Sequence, residues 1–144
     1  RKKNSHVIFS NDEGRTWTKP REVPLALTGD RHVGKYAPDG RLFISFRCRS
    51  PKDKADDRPF ETDWAGWVGT YEDIVQGREG QYVVRLKKNH LKYDTTYPGV
   101  EVLPDGTFVV TTYGHWEKGA EPYILSVRFT LEDLDAIAED LTND

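Results

Sequence analysis

Two arginines and two tyrosines recur at one spacing in this chain: 66 residues separate Arg31 from Tyr97, and the same number separates Arg47 from Tyr113. A guanidinium is a planar fork that binds a carboxylate through two parallel hydrogen bonds, which lysine cannot copy. A phenol is a neutral hydroxyl that becomes a nucleophile once a nearby base takes its proton. His32, next to Arg31, adds a ring whose charge changes near neutral pH. Gathered at one opening, these groups would form a site for an anionic ligand. The strands that carry them decide whether they meet.

The same offset aligns residues 33–46 with residues 99–112. Each copy reads strand, Pro-Asp-Gly turn, strand, with the turns at Pro38-Asp39-Gly40 and Pro104-Asp105-Gly106. Proline presets φ, aspartate caps the turn and glycine takes the left-handed position. Leu42, Ile44 and Phe46 alternate with Phe43, Ser45 and Arg47, as on the two faces of a strand. Further strands are expected over 64–70, 81–87 and 123–129. Residues 30–87 then hold four strands as two hairpins, the content of one β-propeller blade, and the unit from Thr96 repeats the first three. The fold class expected is all-β: a partial propeller of about two four-stranded antiparallel blades with a short C-terminal helix. Residues 1–29 would end a preceding blade, 30–95 form the next, and 96–144 supply the final strands and the helix. Two blades leave sheet edges open, so the partners expected are further blades, from a longer polypeptide or from other subunits.

In an up-and-down blade, the starts of odd strands and the ends of even strands share one end of the sheet. Arg31, His32 and Tyr97 start inner strands, and Arg47 and Tyr113 end second strands, so all five are expected at one mouth. A purely structural alternative pairs Arg47 with an acid such as Asp63. The loop over 50–63 is polar, charged and long for a hairpin connection, a candidate functional rim. Its Asp53, Asp56 and Asp57 lack the glycine-containing ligand loop of a calcium site, and no metal or cofactor is expected. Leu131, Leu134, Ile137 and Leu141 recur at helical spacing behind Thr130, with Asp133 completing a capping box. That helix is expected to cover the edge of the last blade.

A net charge of −3, with no basic stripe, argues against nucleic acid. The lone Cys48 excludes an internal disulfide and leaves no zinc-ligand spacing. No apolar run approaches membrane-spanning length. With 36% hydrophobic and 31% charged residues, the strands are expected to keep one wet face. Arg1-Lys2-Lys3-Asn4 leads almost at once into a strand, so the chain is expected to be part of something longer.

Ser10-Asn11-Asp12-Glu13-Gly14-Arg15-Thr16-Trp17 joins a turn signal to an aromatic ring that can fold back and bury itself. It matches the Asp-box, S-x-D-x-G-x-T-W, of sialidases (neuraminidases) and other propeller proteins. The segment Tyr97-Pro98-Gly99-Val100-Glu101-Val102-Leu103-Pro104-Asp105-Gly106-Thr107 resembles the late part of exo-α-sialidases, where a tyrosine opens an inner strand. Residues 36–47 resemble the family's inner hairpin, which ends in one arginine of a carboxylate-binding triad.

The resemblance implies a six-bladed propeller of which this chain is the later part. It further implies an exo-sialidase-like glycoside hydrolase acting on terminal sialic acid or a related acidic sugar, in a periplasmic or secreted setting. Tyr97 would be the nucleophile of a retaining mechanism, which suits a substrate whose own carboxylate repels a carboxylate nucleophile. Arg47 would hold the substrate carboxylate, with Arg31, His32 and Tyr113 around it and Trp116 beside the mouth to stack on sugar. Where the family places its assisting glutamate, this chain has Arg31-His32, which leaves Glu101 as the substitute base. No convincing second triad arginine is present, and the first arginine and the acid/base aspartate belong to an earlier part of the family's domain. The isolated chain is therefore expected to be inactive, and a non-catalytic glycan-binding or interaction propeller is the alternative.

Overall fold

The computed structural model describes residues 4–49 and 60–142, so Asp53, Asp56, Asp57 and most of the expected rim loop lie outside the described residues. The chain is mostly β, in three antiparallel sheets with a short C-terminal helix. Strands β1 (His6–Val7) and β2 (Arg21–Glu22) pair around the Asp-box. Next come β3 (Gly29–Tyr36), β4 (Leu42–Cys48), β5 (Trp64–Gly69) and β6 (Tyr82–Lys87), hydrogen-bonded in that order. A third sheet holds β7 (Gly99–Val102), β8 (Phe108–Gly114) and β9 (Tyr123–Phe129). Helix α1 (Tyr71–Gln76) links β5 to β6, and α2 (Leu131–Thr142) closes the described chain. No helix among the described residues is long and apolar enough to cross a membrane.

The two Pro-Asp-Gly turns are built alike. Gly40 and Gly106 sit at φ 88° and 86°, and Asp39 and Asp105 accept backbone N–H bonds from Arg41 and Thr107 at 2.9 and 3.0 Å. In the Asp-box, Asp12 accepts from the Thr16 hydroxyl (2.6 Å) and amide (2.9 Å) and from Ser10 (2.8 Å). Hydrogen bonds from Thr16, the side chain foremost, hold its carboxyl down to about 2. Trp17 does fold back, donating to the Gly14 carbonyl at 3.0 Å, but it remains 57% exposed because no second layer covers it.

One expectation fails in the middle sheet. Every residue of β4 and β5 is buried, so neither strand keeps a wet face. Phe43, Trp64 and Val68 pack with Phe108, Val110 and Phe129 of the third sheet. On the opposite face Leu42, Ile44, Phe46 and Trp67 pack with Val23, Leu27 and Ile74. Sheet β3–β6 is thus the middle layer of three, and Ser45, a polar residue inside it, is matched, Trp64 Nε1 donating to its hydroxyl at 2.8 Å. Burying each Phe ring contributes about 1.5–3 kcal/mol.

Thr130 and Asp133 form the expected reciprocal cap, at 2.7 and 3.2 Å. The helix behind it takes a different place from the one expected. Asp135 accepts from Arg41 (2.8 Å) and from the Tyr82 hydroxyl, so α2 packs beside β6 of the middle sheet and not along the edge of β9. Leu131 and Leu134 enter the core shared by both sheets, which turns the helix back across them. Helix α1 is also an addition; the Thr70/Asp73 capping box and Gly77 at φ 71° bound it.

Candidate functional site

Strand β3 carries a bulge where the site begins. Asp30 pairs with Arg47 and Val33 with Ser45, so two residues, Arg31 and His32, stand opposite Phe46 alone. Arg31 has φ 63°, and such a kink re-aims side chains out of the regular alternation. Its guanidinium lies 3.5 Å from the ring centroid of Tyr97. Cation–π contact of this kind contributes about 0.5–2 kcal/mol. Among the described residues, no carboxylate or carbonyl accepts from the Arg31 guanidinium.

Tyr97 sits two residues ahead of β7, held by its amide bond to Thr112 Oγ1 at 2.9 Å, and is 59% exposed. Thr96, immediately before it, adopts φ 67°, an unfavourable backbone for a β-branched residue that costs about 1–3 kcal/mol. Strained backbone thus flanks both contact partners. The Tyr113 ring runs near-parallel to that of Tyr97, with centroids 6.1 Å apart. Tyr113 donates to Asp94 at 2.9 Å, and burial, then that carboxylate, raise its hydroxyl above the usual phenol range. Asp94 also receives His115 Nε2 at 2.8 Å, while His115 Nδ1 faces the Ala120 carbonyl at 3.2 Å. Both ring nitrogens meet acceptors, so the imidazolium is favoured: Asp94 raises His115, and His115 in turn lowers Asp94.

His32 lies flat on Phe46, with centroids 5.3 Å apart and planes 11° from parallel. Its Nε2 is 2.9 Å from the Leu27 carbonyl, so that nitrogen carries the proton and Nδ1 keeps its lone pair. Loss of solvent around the ring lowers its pKa, against smaller opposing effects of Leu27 and Asp30.

Arg47 reaches the same end of the sheet but points inward. It is 6% exposed and clamps Asp30 with two bonds, Nε to Oδ1 at 2.7 Å and Nη2 to Oδ2 at 2.8 Å. Nη1 donates to the carbonyls of Tyr93 and Thr95, and Arg49 adds a bond to Asp30 at 2.9 Å. Burial alone would raise Asp30, but these arginines outweigh it and hold the carboxyl below its ordinary value. The acid beside Arg47 is therefore Asp30 and not Asp63, which pairs with Arg85 at 3.1 Å.

Asp30, Arg31, His32, Val33, Tyr97 and Pro98 line an open cleft of about 430 Å³. Tyr113 stacks beside it, and Arg47 supports it from behind through Asp30. Glu101 stands apart: its carboxylate faces Lys35 Nζ at 3.4 Å, about 13 Å along the chain from Tyr97. Trp116 is not at the mouth. It is 3% exposed, tilted against Trp64 at 5.6 Å and donating to the Tyr123 carbonyl at 2.9 Å, so its ring is core and has no face for a sugar. A Cβ at Gly114 would come within 2.5 Å of that indole, and its absence lets the ring turn inward. Among the described residues, no group of three or more His, Cys, Asp or Glu side chains gathers as metal ligands would.

No protein-family model matches the chain, and no curated protein does. A solved structure does: a protein of unknown function from Dyadobacter fermentans DSM 18053, with a TM-score of 0.66 and 17% identity. The likeness is one of fold. It covers 88% of this chain, which spans 31% of that protein's length.

Sequence reasoning missed Asp30 and Asp94. For Asp30 the signal was partial, because counting back from the Pro-Asp-Gly turn sets Arg31 opposite Arg47 and the bulge then moves its neighbour Asp30 into that place. Asp94 gave no such signal, since it lies in the irregular stretch before β7.

Proposed function

We infer that the chain forms adjoining blades of a sialidase-like propeller and that its cleft binds the carboxylate of an acidic sugar. The observation that carries this is the Arg31 guanidinium, placed at the cleft on strained backbone with no acceptor of its own among the described residues. The propeller arrangement draws support from two contacts at the repeat spacing, Arg31 with Tyr97 and Lys35 with Glu101, since copies related by rotation about one axis bring equivalent positions together. The surroundings favour an anion. Among the described residues Arg47, Arg49 and Lys92 outnumber Asp30 and Asp94 there, and the bond to Asp94 favours the charged form of His115.

In the form the resemblance implies, Tyr97 attacks the anomeric carbon of a terminal sialic acid and the remaining acid and base come from the rest of the ring. A non-catalytic glycan-binding propeller is the second reading, and it is favoured by the pairing of Glu101 with Lys35, which leaves the Tyr97 hydroxyl without that base. Titration of the full-length protein with sialic acid and glucuronic acid tests the shared core of both. Arg31→Ala should abolish binding, and undiminished affinity in that variant would overturn the assignment. Release of a sialyl reporter, lost in Tyr97→Phe, would then choose the hydrolase.

A further inference from the structure

Glycoside hydrolysis asks for two carboxylates at the scissile bond, or for a tyrosine with a base beside it. The carboxylates are spent elsewhere: Asp30 in this cleft on Arg47 and Arg49, and Glu101, outside it, on Lys35. What remains is a cation, a nitrogen base and a phenol. We propose that the cleft carries out β-elimination on a uronate within a polysaccharide, Arg31 holding the uronate carboxylate, His32 Nδ1 removing the proton on C5 and the Tyr97 hydroxyl protonating the departing oxygen on C4. This rests on the acidic-sugar reading above and replaces the reaction.

Each part is matched to its task. A proton next to a carboxylate is hard to remove, because the product would carry two negative charges; a guanidinium on the carboxylate offsets one of them. Arg31 is the cleft cation without an acceptor of its own among the described residues. The Leu27 carbonyl fixes the proton of His32 on Nε2, and stacking on Phe46 fixes the ring plane, so the lone pair on Nδ1 is oriented before substrate arrives. Desolvation lowers the pKa of that imidazole and so favours the uncharged state a base requires. Tyr97 has Arg31 over its ring and Tyr113 alongside, so a sugar meets the hydroxyl and ring edge. The openness of the cleft suits an internal residue of a polymer.

The step balances without a co-reactant. The C5–H bond breaks and its electrons become the C4=C5 double bond; the C4–O bond breaks with its pair on oxygen, which takes the proton of Tyr97. The proton on His32 then returns to Tyr97 through solvent. No water enters the products.

The test is incubation of the full-length protein with alginate, polygalacturonate and glucuronan in turn, in water enriched in oxygen-18. Elimination gives rising ultraviolet absorbance from the conjugated double bond and fragments without label. His32→Ala should slow it by about 10²–10⁴-fold while retaining polymer binding, with partial rescue by added imidazole. Tyr97→Phe, at an exposed position, should do the same without touching the fold. Labelled fragments, full activity in His32→Ala, or binding of these polymers with no cleavage would each overturn the elimination and leave acidic-sugar binding standing. Absence of binding to all three, and to sialic acid, would remove both.

Discussion

The Arg31 guanidinium rests 3.5 Å from the ring centroid of Tyr97, a contact between two sheets and between equivalent places in two copies of one hairpin. Four residues further along, Lys35 meets Glu101 in the same relation. Strands β3 and β7 therefore lie side by side in the same direction without sharing a ladder. Tyr97 owes its setting to a side chain from the other copy.

The two arginines should separate cleanly under mutation. Arg31→Ala should lose acidic-sugar binding with little change in stability, because its cation–π contact contributes only about 0.5–2 kcal/mol. Arg47→Ala leaves Asp30 with Arg49 alone and should cost about 2–4 kcal/mol, near the range for a broken buried pair. Urea denaturation beside ligand titration reads both, and equal stability losses would contradict the division.

Lys35→Ala tests the pair on the exposed strand. Both partners are largely in water, so the loss should stay below about 1 kcal/mol and shrink further with added salt. Thermal unfolding at two ionic strengths is sufficient; a loss that salt does not alter would count against it.

Gly29→Ala addresses the backbone beneath the site. Its Cβ would fall 2.2 Å from the Arg47 carbonyl oxygen and 2.6 Å from the Phe46 ring, so β3 must move off β4. The expected cost is about 1–3 kcal/mol or more, together with weaker ligand binding as Asp30 and Arg31 shift. A variant with wild-type melting temperature and affinity would show that β3 tolerates the side chain.

His115 gives the upper pH limb. Its folded pKa is raised above 6.5, so its contribution to stability is complete below about 6.5 and is lost as pH climbs through the folded value. Asp94, lowered by the same bond, contributes above about 3.8 and fades as pH falls. Melting temperature followed from pH 5 to pH 9 should fall less steeply in His115→Asn than in wild type. Parallel curves would eliminate the pair as the cause.

Asp12 gives the acid limb. Its value of about 2 lies below the ordinary 3.8, so stability from the Asp-box holds above 3.8 and disappears as pH drops toward 2. Asp12→Asn should flatten that part of an acid denaturation curve.

The hairpins were legible because their turn chemistry is explicit: Pro-Asp-Gly fixes both the reversal and the register down to Val33 against Ser45, beyond which the bulge sets Asp30, and not Arg31, against Arg47. Strand β9 falls where alternation put it, at Tyr123–Phe129. Helix α1 was not legible, since six residues are too few to display a helical period, although its Thr70/Asp73 box repeats the signal recognised ahead of α2. Placement in the third dimension was harder. Nothing in the spacing of Leu131 and Leu134 says which sheet they meet; the Asp135 bonds to Arg41 and Tyr82 decide it. Trp116 follows the mouth in sequence, yet its direction depends on the missing Cβ of Gly114. Arg31, His32 and Tyr97 could be assigned to one end from the repeat, whereas the commitment of Arg47 to Asp30 needed distances.

Strands β4 and β5, enclosed by apolar layers on both sides, have no route to solvent short of dismantling the molecule. Their amide hydrogens should exchange with deuterium only through global opening, while β9, with Ile124, Ser126 and Arg128 facing outward, exchanges by local fraying. The slowest amides in the protein would then lie directly beneath the Asp30 and Arg31 bulge, so the cleft rests on the part of the fold that opens last.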